Sequence, residues 1–425
     1  MTSDQRMPRD FGLLAGAQAL SSLGSETSRI AYPLLILTVT DGHAASAGLA
    51  LTALLLGQLA ARLPGGLIAD VFNRRTVMIS ADAVRLCGVV AIAIMAMTET
   101  VTIGPVCVVA ALQGIMDVFF SPAETGALKA IVPSHQMDAA MVTYGIRDYA
   151  VVLAGPAIGG LLFAISPALP FLFDAFSYVL SVAMISAIRT PLRHRKRPPR
   201  VIPSRVSLVA GSMLGGFRLL WRMPFLRDSV ISACLLNFSM ASVFYVVVVV
   251  LSLAGTGASQ VGLVMTIGSG FGLVGAAASR SLLRAVPRRM LLIGWGWSVA
   301  ASIAAMLVVP LDAPWLFGLA VGGTYLLAPA ASAIENGYRV AATDLGMQGR
   351  VDAASTMLAT CASPLGPLAA GLAYEVGGAE AAISVPLVAA IGAATFRTVT
   401  PSFRAVADPG TVDTSRRAHG SGSQV

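Results

Sequence analysis

The sequence predicts an all-α membrane protein: twelve transmembrane helices arranged as two pseudo-symmetric six-helix bundles. Three observations predict it. The 425 residues are 56% hydrophobic and only 12% charged, with a mean hydropathy of +0.77, whereas a soluble domain carries roughly 25% charged residues. The basic residues gather in alternate loops. The two halves of the chain repeat short motifs at a shared offset.

A membrane-spanning helix needs about 20 mostly apolar residues. Twelve stretches qualify, at 11–39, 46–68, 76–98, 104–127, 139–165, 170–188, 228–252, 259–281, 290–310, 314–338, 352–375 and 379–399. Polar residues interrupt the first, fourth and fifth. The opening MTSDQRMPRD has neither a basic start nor a small-residue cleavage site, so the first span is kept in the mature protein. An inside N-terminus then leaves outer loops at 40–45, 99–103, 166–169, 253–258, 311–313 and 376–378, none of which holds Lys or Arg. The inner segments hold Arg74 and Arg75, Lys129, the run from Arg189 to Arg227, Arg280, Arg284, Arg288, Arg289, Arg339, Arg350 and Arg404. This is the positive-inside asymmetry, and a miscounted span would break it. It places both termini on the cytoplasmic side of a bacterial inner membrane. The chain divides into an N-terminus (1–10), a first bundle (11–188), a basic linker (189–227), a second bundle (228–399) and a disordered tail (400–425).

The net charge of +8 therefore reports topology, not nucleic acid. The linker TPLRHRKRPPRVIPSR (190–205) is read the same way, with contact to anionic headgroups as a second reading. The cysteines, Cys87, Cys107, Cys234 and Cys361, all fall inside spans, where they behave as small apolar residues. No disulfide framework or metal site is expected. The four histidines lie in loops or the tail, which leaves carboxylates to carry protons within the membrane.

The halves look related. Gly155-Pro156 and Gly366-Pro367 stand 211 positions apart, as do Glu124-x-Gly126 and Glu335-x-Gly337, while Arg74-Arg75 and Arg288-Arg289 stand 214 apart. A six-span unit used twice in parallel is the plan of a transporter that rocks two halves about a midplane site.

Between spans two and three the chain reads PGGLIADVFNRR (64–75). It resembles the signature Gly-x-x-x-Asp-Arg-x-Gly-Arg-Arg of the major facilitator superfamily, carried here by Gly66, Asp70, Arg74 and Arg75. Val71 replaces the basic residue after Asp, and Asn73 replaces the second Gly; Asn tolerates a positive φ. The stretches FFSPAETGALKAIVP (119–133), GPAIGGLLFAISPALPFLFDAFSYVLS (155–181) and GRVDAASTMLATCASPLGPLAAGL (349–372) resemble the branch of enterobactin exporters and macrolide efflux pumps. Gly155, Pro156, Gly159 and Gly160 are similar to the end of the Gly-Pro signature of span five in drug–proton antiporters, without its upstream glycine spacing. The resemblance covers about residues 10–400. It implies the major facilitator fold, with spans one, four, seven and ten lining a central cavity. It also implies that Asp70 meets the start of span eleven, near Arg350, and locks the inner side shut when the outer side is open. A helix-ending Asp in a surface ion pair is the alternative.

Charged residues inside spans are functional candidates. Glu26 and Arg29 share a helix face at i, i+3, as do Asp82 and Arg85. Asp117 has no basic residue within a turn, so no local cation is expected to keep it ionised and it fits the proton-coupling role first; Glu26, which Arg29 can neutralise, comes second, and a protonated packing residue is the alternative. The resemblance places Glu26, Arg29, Asp117 and Asn237 at the midplane, with Gln18, Gln113 and Tyr325 as polar neighbours. Asp82 and Arg85 read as a structural ion pair, and Asp174 as a packing residue. Glu124 and Glu335 read as inner-mouth carboxylates that meet arginines from the loops, with helix-end packing as the alternative.

No cofactor is expected. No G-x-x-x-x-G-K-[ST] phosphate loop is present, and GFGLVG (270–275) lies inside a span with no preceding strand. The leading reading is a monomeric secondary transporter, exchanging protons for a small lipophilic or amphipathic substrate across the lipid bilayer. An importer or uncoupled facilitator of the same fold is the first alternative. A membrane-embedded enzyme or a non-transporting sensor is the remote one, since no span carries a histidine for a nucleophile–base pair.

Overall fold

The computed structural model describes residues 7–192, 215–343 and 347–406, with 63–71 described by backbone only. Six long helices come first: α1 (Arg9–Val39), α2 (Ala44–Val71), α3 (Arg74–Met97), α4 (Ile103–Ile131), α5 (Met137–Ile165) and α6 (Leu169–Ala187). The second half contains α7 (Pro224–Leu253), α8 (Ala258–Ala285), α9 (Arg288–Met306), α10 (Pro314–Leu326), α11 (Ala328–Ala342), α12 (Gln348–Thr360), α13 (Leu365–Val399) and the short α14 (Pro401–Arg404). No strand occurs among the described residues.

Local chemistry explains the breaks. Asp41 and Gly42 take positive φ of 50° and 89° and reverse the chain between α1 and α2. Asn73 departs from the expectation: its φ of −64° is ordinary, and its side chain caps α3 by accepting from the Arg75 N–H at 3.2 Å. An N-cap of this kind contributes about 1 kcal/mol, so the signature's second Gly is replaced by a cap instead of a left-handed turn. Span ten is divided at Leu327, where Pro329 opens α11 without a backbone donor. Span eleven is divided at 361–364. Its second part leads through Gly377 and Gly378 into span twelve; Gly378 sits at φ 66°, ψ −154°, a region open essentially to glycine alone.

Among the described residues ten segments are long and apolar enough to cross a membrane, the last of them 52 residues long at Gln348–Val399. That one holds two crossings, turned back at Gly377–Gly378. The charged α1, at 31 residues, supplies the twelfth. In the first bundle α1 packs on α5 and α6, α2 on α4, and α3 on α4 and α6. In the second, α7 packs on α13, α8 on α10, and α9 on α10 and α13.

The bundles meet through two crossings, α5 on α8 and α2 on α13, and both depend on missing side chains. A Cβ on Gly160 would strike the Ala258 carbonyl and lie 3.0 Å from Gly262 Cα; one on Gly262 would strike the Pro156 carbonyl. At the other crossing, a Cβ on Gly371 would lie 2.9 Å from Ala45 Cα, and one on Gly48 would lie 2.7 Å from the Pro367 carbonyl. Pro156 and Gly160 map onto Pro367 and Gly371 by the 211-residue offset; Ala44 and Gly48 map onto Ala258 and Gly262 by 214. The sequence repeat is thus a repeat of contacts.

Both crossings lie at one end of the molecule. There a single apolar core joins the two bundles; at the other end each bundle has its own core. The described hydrogen bonds between bundles follow suit: Tyr245 Oη to the Ala44 carbonyl, Thr52 Oγ1 to the Pro364 carbonyl at 2.9 Å, and Thr266 Oγ1 to the Leu153 carbonyl at 3.0 Å. Glu375 of the second bundle accepts from the Ala45 N–H at 3.2 Å, at the start of α2, and lies 3.6 Å from His43. One end is sealed and the other is open.

At the open end, Arg74 donates to the Gly126 carbonyl at 2.8 Å, and Arg75 donates to the Ile188 and Thr190 carbonyls. Asp10 accepts from the Thr190 hydroxyl at 2.6 Å and from the Thr190 and Arg189 N–H groups. The Thr190 bonds hold its carboxyl below the usual carboxylate range. These ties fasten α1, α3, α4 and the end of α6 within one bundle.

A charged cavity at the centre of the bundles

Between the bundles, on the open side of the seal, lies a cavity in two contiguous lobes of about 270 and 280 Å³. Glu26, Arg29 and Gln58 border both. One helical turn on α1 sets Glu26 and Arg29 3.3 Å apart, both partly exposed to the cavity. The Arg29 guanidinium also sits 4.8 Å from the centroid of Phe244 in the second bundle, a cation–π contact that spans the interface. The lobe toward the second bundle mixes apolar Met240, Phe244 and Met265 with polar edges from Arg62, Asn237 and Tyr325. Asn237 donates to the Ala233 carbonyl at 2.8 Å. A further space of about 300 Å³ continues from Asn237 toward Glu335 and Arg339.

The lobe toward the first bundle holds Asp117, Arg85, Gln113 and Tyr178. Asp117 is more than half exposed, and its Oδ1 lies 3.7 Å from Arg85 Nη1. This corrects the expectation that no cation stands beside it. Helical spacing surveys only the residue's own helix, and α3 brings Arg85 alongside. Gln58 Nε2 donates to the other oxygen at 3.3 Å. Arg85 also binds the buried Asp82, as the i, i+3 spacing predicts, and lies 4.8 Å from the centroid of the Tyr178 ring. Asp82 accepts from Ser181 at 2.6 Å. Gln113 is buried and accepts from Tyr32 Oη at 2.7 Å. Gln18 donates to Ser22 at 3.1 Å and is not among the lining residues of either lobe.

Glu124 and Glu335 are paired, but not with loop arginines. Glu124 binds Arg147 of α5 at 2.9 Å, and Glu335 binds Arg397 of α13 at 2.8 Å. Each pair lies within one bundle. Arg74 and Arg75 of the loop are already engaged by carbonyls, and the two carboxylates take arginines that helix packing brings alongside and desolvates. Arg397 is fully buried. It also donates to Ser232 Oγ at 2.5 Å and to the Leu292 carbonyl at 3.1 Å, and faces Trp295 and Phe403.

The surroundings of Gly66 and the side chain of Asp70 lie outside what the structure describes. Arg350 makes its described contact within its own turn, to Met347 Sδ at 3.5 Å. The glycines of span five are divided between two neighbours. Gly155 and Gly159 face Glu26 and Thr27 of α1, while Gly160 faces α8 and the Pro156 carbonyl faces Gly262. Sequence reasoning missed Gln58, a lone amide in an apolar run, and the role of Arg85 as a cavity residue.

A sealed end, an open end and a charged cavity between two related bundles are the architecture of a membrane transporter. The chain belongs to the Major Facilitator Superfamily, whose family model matches residues 14–347. It is a multi-pass integral membrane protein of that family. It is similar to the Multidrug efflux pump Tap of Mycobacterium tuberculosis, 28% identical over 88% of this chain and 90% of that protein. It is also similar to the Uncharacterized MFS-type transporter YfiS of Bacillus subtilis, 24% identical over 85% and 86%. Among solved structures, a bacterial homologue of the iron transporter ferroportin in its inward-facing state superposes with a TM-score of 0.69, at 16% identity over 93% of this chain and 99% of that one.

Proposed function

We propose that the protein is a proton-coupled exporter of small lipophilic or amphipathic compounds, working by alternating access as a monomer in a bacterial inner membrane. The cavity carries this reading. Apolar Met240, Phe244 and Met265 face one lobe, Asp117 and Arg85 face the other, and Glu26 with Arg29 stands between them and borders both. An apolar site with a few convergent charges suits amphipathic cargo. The efflux role of a relative at 28% identity over most of both chains adds support. The open end carries the basic residues, so it faces the cytoplasm, and the described state receives cargo from inside. A siderophore-like or carboxylated product would pair with Arg29.

Coupling needs a carboxylate that exchanges its proton with one side at a time. Moving one charge across about 100 mV is worth roughly 2.3 kcal/mol, and one pH unit adds about 1.4 kcal/mol. One proton therefore sustains a concentration ratio of a few hundredfold. Asp117→Asn and Glu26→Gln test the two cavity carboxylates. In everted vesicles acidified inside and followed with a pH-quenched dye, a substrate of the parent protein discharges the gradient. The variant that removes the carrier no longer does so, yet still equilibrates cargo downhill. Unchanged discharge in both variants removes both residues from that role.

The gate loop gives a second test. Asp70→Asn is expected to cut transport by about 5- to 30-fold, as loss of a gating contact of about 1–2 kcal/mol would, while membrane insertion stays normal. Transport at the parent rate rules out the gating role.

A further inference from the structure

Glu26 and Asp117 face the cavity, and each has an arginine beside it. A third carboxyl lies just behind the cavity wall. Asp174 of α6 is fully buried, and all its described hydrogen-bond partners are neutral. Its Oδ2 accepts from Ser28 Oγ of α1 at 2.6 Å and from Gln113 Nε2 of α4 at 3.1 Å. Its Oδ1 lies against Gly24 of α1, where a Cβ would come within 2.6 Å of it. The other neighbour of Oδ1 is Ser177 Oγ at 3.5 Å, and Ser177 already donates to the Asp174 carbonyl at 2.7 Å. Oδ2 is thus served by two close donors, Tyr178 of the same helix also interacts with the carboxyl, and the hydroxyl nearest Oδ1, Ser177, is free to accept a hydrogen from it. That is the hydrogen-bonding pattern of a neutral acid whose hydrogen sits on Oδ1.

The wall in front of Asp174 is polar. Gln113 donates to Asp174 and, at 3.3 Å, to Tyr178 Oη. Tyr32 fixes the amide by donating to its oxygen. Tyr178 Oη is 2.9 Å from Ser25 Oγ. Gln113, Tyr178, Ser25 and Arg85 all line the cavity, so Asp174 is one hydrogen bond away from it. The groups that face it are Ser28 and Tyr32 from α1, Gln113 from α4, and Ser177 and Tyr178 from its own helix. From α3, Arg85 acts on it across the Tyr178 side chain; that guanidinium is held by Asp82 and Asp117. No titratable group of α5 is described in contact with it.

We infer that Asp174 is a proton-binding site of the transport cycle, loaded from cavity water through the Gln113–Tyr178 wall. This rests on the proton-coupled reading above and moves the coupling site from the cavity surface to a buried position. Loading forms an O–H bond on Oδ1, with the proton taken from cavity water; unloading returns it. An unpaired buried carboxylate is costly, so the unloaded state draws on Arg85 as its counter-charge. Arg85 then releases Asp117 into the cavity. The proton and the cavity charge are coupled through one guanidinium.

The first test needs no cargo. In the purified protein, the infrared carbonyl stretch of a protonated carboxylic acid is followed across the neutral pH range. A titrating band is expected in the parent and in Asp117→Asn, and its loss in Asp174→Asn. Persistence of the same band in Asp174→Asn overturns the assignment, as does a band that does not titrate. Ser28→Ala keeps the carboxyl and removes one donor. It is expected to move the midpoint of the band, and an unmoved midpoint also counts against the site. The second test uses proteoliposomes with ethidium as probe. Asp174→Asn should lose accumulation driven by a pH gradient while downhill equilibration remains, with partial recovery in Asp174→Glu. Accumulation by Asp174→Asn at the parent level overturns the inference. A parent that shows the titrating band but couples neither ethidium, nor a macrolide, nor a carboxylated siderophore to the gradient would instead overturn the proton-coupled reading and leave the proton site standing.

Discussion

Replacing Gly160 with Val is expected to lower transport by about tenfold or more without removing the protein from the membrane. Position 160 has no room for a Cβ against Ala258 and Gly262. Forcing extra methyl groups into a packed contact costs about 1–3 kcal/mol. Because the cost falls on the contact between bundles and not on either bundle's own core, it penalises the sealed state specifically. A penalty of about 1.4 kcal/mol shifts the population tenfold, and the cycle stalls with its outer end open. Gly371→Val should do the same, since its Cβ would meet Ala45 Cα at 2.9 Å and Tyr245 Oη at 2.8 Å. The state is read directly with a cysteine placed at Met240, in a chain otherwise free of cysteine. A membrane-impermeant thiol reagent added outside should label it faster in Gly160→Val than in the parent. Equal labelling, or thermal unfolding shifted as far as transport, would mean that the glycine merely supports a bundle. Glu375→Gln, which weakens a half-exposed bond at the start of α2, should act in the same direction by only a few tenths of a kcal/mol.

Much of this architecture is legible in the sequence because lipid imposes strict rules on it. Apolar runs must be helical, and charge marks the loops, so the helices could be counted even where α1 carries Glu26 and Arg29 in mid-span. The repeat of Gly-Pro at 155 and 366 could be read as symmetry. That the prolines of those motifs, with Gly160 and Gly371 four residues further on, form the two crossings could not, because their partners Gly48 and Gly262 lie on spans of the other bundle. The site was legible only along single helices. The spacing of Asp82 and Arg85 gave their ion pair, whereas the approach of Arg85 to Asp117 needed the packing of α3 on α4. The arginines of Glu124 and Glu335 came from α5 and α13 for the same reason. Asp174 was read as a packing residue, and it does touch two neighbouring helices. Its neutral partners are spread over α1 and α4, and no pattern within α6 announces them.

The pair at Glu335 and Arg397 separates bracing from gating. Breaking a buried pair by removing one partner costs about 3–5 kcal/mol, because the other charge is left unpaired. The two partners are not equivalent here. Arg397 is fully buried, while Glu335 keeps 18% of its side chain exposed and borders the space of about 300 Å³ toward the open end. After Arg397→Leu, the carboxylate can turn to water there, so the loss should be smaller, about 1–3 kcal/mol. After Glu335→Leu, the guanidinium keeps Ser232, the Leu292 carbonyl and the faces of Trp295 and Phe403, none of them anionic, and the larger penalty applies. Glu335→Leu should therefore unfold at the lower temperature in detergent, and the double variant should recover most of the loss, since a buried pair is commonly matched by apolar residues of similar volume. If Arg397→Leu proves the more damaging, Glu335 does not reach water and the open-end space is not hydrated. Transport by the double variant then decides the role of the carboxylate. A stable double variant that transports makes Glu335 a brace for the second bundle. A stable one that does not makes it a working residue of the inner mouth, with its ion pair formed in one state of the cycle and broken in the other.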